Sequence, residues 1–182
     1  MNVEKEKKLT IKSTAREIAN LAVFVALVIA AQFALSFVAG VELVTVLFVA
    51  YAFTFGIRRG MLAATAFSLL RMVVFGVFLN VLVLYLIYYN ALAACFGVLG
   101  NKIKKPLKNL WWLVLVACVC TACFTLLDNL LTIVWYDFTA KAAKTYFVAS
   151  LPVAFSQMLC TVITVSTLFL PLRKVFLLTR KV

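Results

Sequence analysis

Leu110–Val134 reads LWWLVLVACVCTACFTLLDNLLTIV, twenty-five residues with a single charge, at Asp128. About 20 predominantly apolar residues suffice for a helix to cross a bilayer, so this stretch is long enough to span one. Trp111 and Trp112 at its start, and Trp135 and Tyr136 at its end, are of the type that anchors at membrane–water interfaces. Working outward, comparable apolar stretches run over Ile18–Val38, Leu43–Phe55, Met61–Phe75, Val81–Leu99 and Tyr146–Leu170. The second is short, and reads as strongly tilted or as crossing incompletely. The chain is therefore expected to be all-α: a polytopic membrane protein of six transmembrane helices in one domain over 1–182.

Composition points the same way. Of 182 residues, 66% are hydrophobic and 13% charged, whereas soluble domains run near 45–50% apolar and about 25% charged. Such a chain cannot hide its apolar surface from water, so its solvent is lipid. Six spans with short loops leave no length for a soluble catalytic domain. No G-x-x-x-x-G-K-[ST] loop occurs, which excludes a P-loop ATPase in this chain. Histidine is absent, which removes the commonest metal ligand and general base. The net charge of +12 lies in short loops between apolar segments, so it reads as topology and lipid-headgroup contact rather than as a nucleic-acid surface.

The connecting segments carry their own signals. Residues 1–13 form a basic, flexible N-terminal segment. Thr14-Ala15-Arg16-Glu17 then fits a capping box, in which hydroxyl and carboxylate satisfy free N–H groups at a helix start. The first apolar stretch is too long for a cleaved signal peptide, and further spans follow it. Residues 100–109, GNKIKKPLKN, form the clearest loop, and 135–145 a polar loop on the opposite side. Pro171 and Arg173 are expected to close the last span. Fifteen of the 18 Lys and Arg residues fall on one side of this topology; only Lys141 and Lys144 face the other, with Arg71 inside a span. The positive-inside rule places the fifteen, and both termini, in the cytoplasm.

A charge at mid-bilayer costs roughly 2.5–3.5 kcal/mol, so each intramembrane polar residue needs a reason. Gln32, Glu42, Arg71, Asn80, Tyr85, Asp128, Asn129 and Gln157 all fall in the outer half under this orientation, with Tyr88, Tyr89 and Asn90 near the middle. The inner halves are Leu, Val, Ala and Phe. The functional reading is a hydrophilic ligand pocket open to the outside, with Tyr85, Tyr88, Tyr89, Trp135 and Tyr136 able to stack on a planar ligand. The alternative is internal glue: an Arg71–Asp128 ion pair with amides linking helices. Cysteines 95, 118, 120, 123 and 160 read as small packing residues, and Cys120-Thr-Ala-Cys123 has no partner pair for a metal or redox site. With no His, no metal-ligand set and no carboxylates paired at helical spacing, an intramembrane enzyme is disfavoured.

Ala15, Ala19, Ala22, Ala26 and Ala30 recur along the first span, and Ala22-x-x-x-Ala26-x-x-x-Ala30 puts three on one face. A small-residue strip lets another helix approach closely, either within the bundle or from a separate protein. The basic N-terminus, this stripe, and six spans in a chain of this length together resemble the substrate-binding S component of energy-coupling factor (ECF) vitamin transporters. Val41-Glu42-Leu43-Val44-Thr45 through Tyr51-Ala52-Phe53-Thr54-Phe55-Gly56, then Gly60 and Leu69-Leu70-Arg71 to Gly76, are similar in order to spans two and three of that family. One departure is Val41-Glu42, where many members carry a proline near the start of span two. The resemblance implies a non-catalytic importer subunit without cofactor in a prokaryotic plasma membrane. It implies four partners beside the lipid: a vitamin-like small molecule, a membrane coupling subunit docking on Ala22, Ala26 and Ala30, and two cytoplasmic ATPases driving that subunit. It also implies a ligand site in the outer half. A stand-alone small-solute transporter or channel is the alternative, and it requires a polar path continuing to the cytoplasm.

Overall fold

The computed structural model describes residues 2–37, 43–103 and 106–181, with side chains for 15–37, 43–103 and 106–179. Six helices follow in chain order: α1 (Asn2–Leu35), α2 (Val44–Phe55), α3 (Ile57–Phe75), α4 (Leu79–Lys102), α5 (Leu110–Trp135) and α6 (Ala140–Lys181). Among the described residues there is no strand. Four segments are long and apolar enough to cross a membrane: Ala15–Leu35, Leu79–Lys102, Leu110–Trp135 and Ala140–Thr179. The remaining two helices differ for separate reasons. α2 has only 12 residues, and α3 carries Arg58, Arg59 and Arg71.

α2 is the centre of the bundle. Every residue from Val44 to Thr54 is buried, whichever side of the helix it occupies. A helix that is apolar all round has no solvent-facing stripe and must be enclosed. α3, α4 and α6 supply most of the enclosure. At 1.5 Å per residue α2 is about 18 Å long, well short of the roughly 30 Å apolar thickness of a bilayer. The helix therefore ends inside the protein, and space remains beyond its N-terminal end.

Ring packing fills the middle. Phe48, on α2, lies 4.9 Å from the Tyr89 ring and 5.3 Å from Phe67, and all three side chains are fully buried. α1 lies at the edge. It buries Phe24, Val25 and Val28, with Phe24 stacked 3.9 Å from Tyr51. α5 packs on α6, where the Thr121 and Thr161 hydroxyls meet at 3.0 Å.

Three expectations about boundaries are corrected. Thr14–Glu17 is not a helix start, because α1 already runs from Asn2. Glu17 instead forms an ion pair with Arg59 at the start of α3. Gly100 does not open a loop, since α4 continues to Lys102. An added Cβ at Gly100 would lie 2.2 Å from the Phe53 carbonyl oxygen, and one at Gly97 2.7 Å from the Ile57 backbone. Glycine stands there because α2 and α3 press their backbones against α4. Pro171 does not close the last helix either: α6 contains both Pro152 and Pro171 and runs on to Lys181. Tertiary packing holds the segment beyond Pro171, with the Phe176 ring set against Phe24, Tyr51 and Phe55.

Candidate functional site

Above the N-terminal end of α2 the bundle forms a half-open cavity of about 270 Å³. Its walls come from the ends of α1 and α3, the beginnings of α2 and α4, and the middles of α5 and α6. Gln32, Arg71, Tyr85 and Gln157 of the predicted polar set line it, together with Ser36, Phe75 and Phe124. A second cavity of about 280 Å³ lies between α5 and α6. Asp128, Asn129 and Gln157 of the predicted set line it, with Thr125, Tyr146 and Ser150. Phe124 and Gln157 belong to both walls, so these two side chains form the partition between the cavities.

Hydrogen-bond accounting separates the polar groups that are used from those that are not. The Gln32 amide Nε2 donates to the Tyr85 hydroxyl at 2.9 Å. The other end of that amide, Oε1, is buried without a partner, as is the Arg71 Nε in the same cavity. The Arg71 guanidinium sits 4.3 Å from the Tyr85 ring centroid and 5.0 Å from that of Phe75. Cation–π contacts of this kind hold a guanidinium in place for about 0.5–2 kcal/mol while leaving its N–H groups free to bond in the ring plane. In the second cavity, Asn129 Nδ2 donates to the Ser150 hydroxyl at 2.8 Å, while its Oδ1 is buried and unpartnered. Thr125 donates weakly to Gln157 Oε1 at 3.4 Å, which steadies the partition.

A buried donor or acceptor without a partner costs about 1–3 kcal/mol, and natural structures carry few of them. Three of those found among the described residues border these two cavities. The first cavity offers a cationic donor and an amide acceptor, and no carboxylate lines it among the described residues. The second offers a carboxylate and an amide acceptor, and no basic side chain lines it among the described residues. No ion pair joins Arg71 to Asp128, which line separate cavities, so that version of the internal-glue reading does not hold.

The remaining polar candidates fall elsewhere. Tyr89 is wholly enclosed by rings and lines neither cavity. Asn80 sits in the first turn of α4, outside both. Asn90 is structural glue: it accepts from Thr65 at 3.3 Å and donates to the Leu86 carbonyl at 2.8 Å. Glu42 lies outside the described residues. Sequence reasoning missed Phe124, one of 16 phenylalanines with nothing to mark it. It also missed Ser150, a type that often satisfies itself locally and here donates to the Phe147 carbonyl at 2.8 Å.

The alanine stripe is on the free side of α1. Ala22, Ala26 and Ala30 are exposed and, with Phe33, Leu70 and Val74, floor an open apolar groove between α1 and α3. They do not pack within the bundle. The five cysteines are free thiols. No protein-family model matches the chain, and no curated protein or solved structure matches it either.

Proposed function

We propose that the chain is the substrate-binding S component of an ECF-type importer in a prokaryotic cell membrane. It captures a water-soluble vitamin or related micronutrient on the outer side. It passes that ligand to a membrane coupling subunit driven by two cytoplasmic ATPases, and it catalyses no reaction itself. The observation that carries the reading is the set of buried, unpartnered donors and acceptors around paired cavities at one end of the bundle. Concave pockets in which a few polar groups converge beside apolar and aromatic walls are what small-molecule sites look like. Arg71, with no carboxylate among the described residues lining its cavity, favours an anionic group on the ligand. Asp128 and Asn129 favour a hydrogen-bond donor at its other end.

In this reading the chain crosses six times with both termini in the cytoplasm. The basic residues support it, fifteen against two. So does the position of the cavities, at the end of the bundle away from the basic loops. α2 serves as a crossing despite its length because protein, not lipid, encloses it. A stand-alone transporter or channel would need a polar path through the other half of the bundle. The fully buried rings of Phe48, Phe67 and Tyr89 block the middle, which favours capture over conduction.

The exposed alanine face is the proposed dock for the coupling subunit. The test pairs two measurements on the full chain: native mass spectrometry of the small molecule that travels with it, and cellular uptake of that molecule with and without the partner subunits. Ala22→Trp and Ala26→Trp, on an exposed face, are expected to retain the bound molecule and to abolish uptake. Uptake at the parent rate in both variants would sink the docking assignment, and uptake without the partner subunits would sink the importer reading as a whole.

A further inference from the structure

At the opposite end of the bundle from the cavities, Lys108, Arg173 and Lys174 converge on a pocket of about 480 Å³ between the α4–α5 connection and α6. Its remaining walls are Pro106, Leu107 and Leu170. The pocket wall is almost wholly apolar, so the basic side chains line it with their aliphatic stems, and Lys108 and Lys174 are exposed.

Three features make this more than a charged surface. Arg173 is anchored: its guanidinium lies 5.7 Å from the Phe53 ring centroid, and Phe53 meets Phe169 edge-on at 5.3 Å. Its Nε is nonetheless buried without a hydrogen-bond partner. No carboxylate lines the pocket among the described residues, and the sequence has no Asp or Glu in 100–127 or in 138–182, the stretches that supply its walls. Depth is marked by Trp111 and Trp112, which follow Lys108 by one turn of chain and are 59% and 48% exposed. Exposed tryptophans of this kind settle at headgroup level.

We infer that this pocket is a binding site for the phosphate of an anionic phospholipid, with Lys108, Arg173 and Lys174 as its ligands and Leu107 and Leu170 against the start of the acyl chains. Three basic side chains around a pocket with no carboxylate among its described lining residues favour an anion. A phosphate suits a guanidinium with free N–H groups, which bind planar or tetrahedral oxyanions through parallel hydrogen bonds. A lipid, rather than a soluble anion, accounts for the exposed apolar wall: Leu107 is 70% exposed beside the cationic rim. Basic pockets between membrane helices at this depth are recognised headgroup sites. The site is independent of the ligand cavities and of the alanine face.

The test is native mass spectrometry of the full chain purified in detergent and titrated in parallel with dioleoyl phosphatidylglycerol, dioleoyl phosphatidylcholine and inorganic phosphate. The expected result is retention of phosphatidylglycerol over phosphatidylcholine by about tenfold or more, since each basic side chain near a headgroup adds a several-fold preference. The triple variant Lys108→Gln, Arg173→Gln, Lys174→Gln should bring the two lipids level, while Lys141→Gln with Lys144→Gln, at the other end, should leave the preference intact. Should the triple variant fail to purify, Lys108→Gln alone, on an exposed side chain, must lower the preference. Equal retention of both lipids by the parent chain overturns the proposal, as does an undiminished preference in the variants. Displacement of phosphatidylglycerol by equimolar inorganic phosphate overturns the lipid assignment in favour of a free phosphate.

Discussion

Replacing Gly100 by alanine is expected to lower the unfolding temperature of the purified chain, although alanine is the better helix former. The added Cβ would lie 2.2 Å from the Phe53 carbonyl oxygen and 3.0 Å from the Phe53 Cα, against an ordinary contact limit of 3.4 Å. A carbonyl oxygen cannot rotate aside as a side-chain tip can, so α2 and α4 must part by roughly 1 Å in a core packed to crystal-like density. Overpacking of that kind costs about 1–3 kcal/mol, and a main-chain obstacle places it toward the upper end. Alanine returns about 1 kcal/mol of intrinsic helix preference, leaving a net loss of about 2 kcal/mol. In a chain of this size that corresponds to a fall in midpoint of roughly 4–8 °C. Thermal unfolding in detergent, followed by tryptophan fluorescence, measures it. Gly60→Ala is the internal standard: its Cβ would meet the Ala52 and Ala93 Cβ atoms at 3.0 and 3.2 Å, so its loss should be smaller. A midpoint in Gly100→Ala equal to or above that of the parent would refute the backbone contact between α2 and α4.

Two further outcomes follow from the same accounting. Asn129→Leu removes a buried acceptor that has no partner and also the bond its Nδ2 donates to Ser150, two effects of similar size and opposite sign, so the ligand-free chain should unfold within about 1 kcal/mol of the parent; occupancy by the co-purifying small molecule, read by native mass spectrometry, should drop by tenfold or more in terms of about 1.4 kcal/mol per decade. Parent-level occupancy would remove Asn129 from the site. Phe176→Ala deletes the ring that meets Phe24, Tyr51 and Phe55, and because that ring is only partly buried the expected loss is about 2 kcal/mol, less than the 3–5 kcal/mol of a fully buried phenylalanine. Proteolysis after Arg173 or Lys174 should quicken in step, since the end of α6 is held by that packing; unchanged cleavage would show that α6 beyond Pro171 does not depend on the ring.

Several features could be read from the amino acids alone because lipid imposes simple rules. Long apolar runs must be helices, since backbone groups in hydrocarbon have no other partners. Polar residues inside them must converge, and Gln32, Arg71, Tyr85 and Gln157 do so around one cavity. Other features depended on partners distant in the chain. Gly100 has the composition of a loop residue and the role of a contact surface, and only the Phe53 carbonyl distinguishes them. Pro171 carries a local stop signal that the ring of Phe176 outweighs by packing on α1 and α2. Tyr89 and Tyr85 are one helical turn apart and look alike in sequence, yet Tyr89 is sealed among rings while Tyr85 meets the cavity. The division of the pocket by Phe124 and Gln157 requires knowing that α5 and α6 face each other at that height, which no periodicity encodes.

The central position of α2 has a consequence for the order in which the protein is made. When Phe55 leaves the ribosome, α3, α4 and α6, the helices that enclose α2, have not yet emerged. At about 18 Å, α2 is too short to rest across a bilayer by itself, so early insertion gives it no stable place of its own. Its walls are complete only after α6 emerges. Closure of the bundle is then a step that joins α2 to α6, across the three helices between them. The cavity over the N-terminal end of α2 forms in that same step, so ligand binding can report directly on whether assembly has finished.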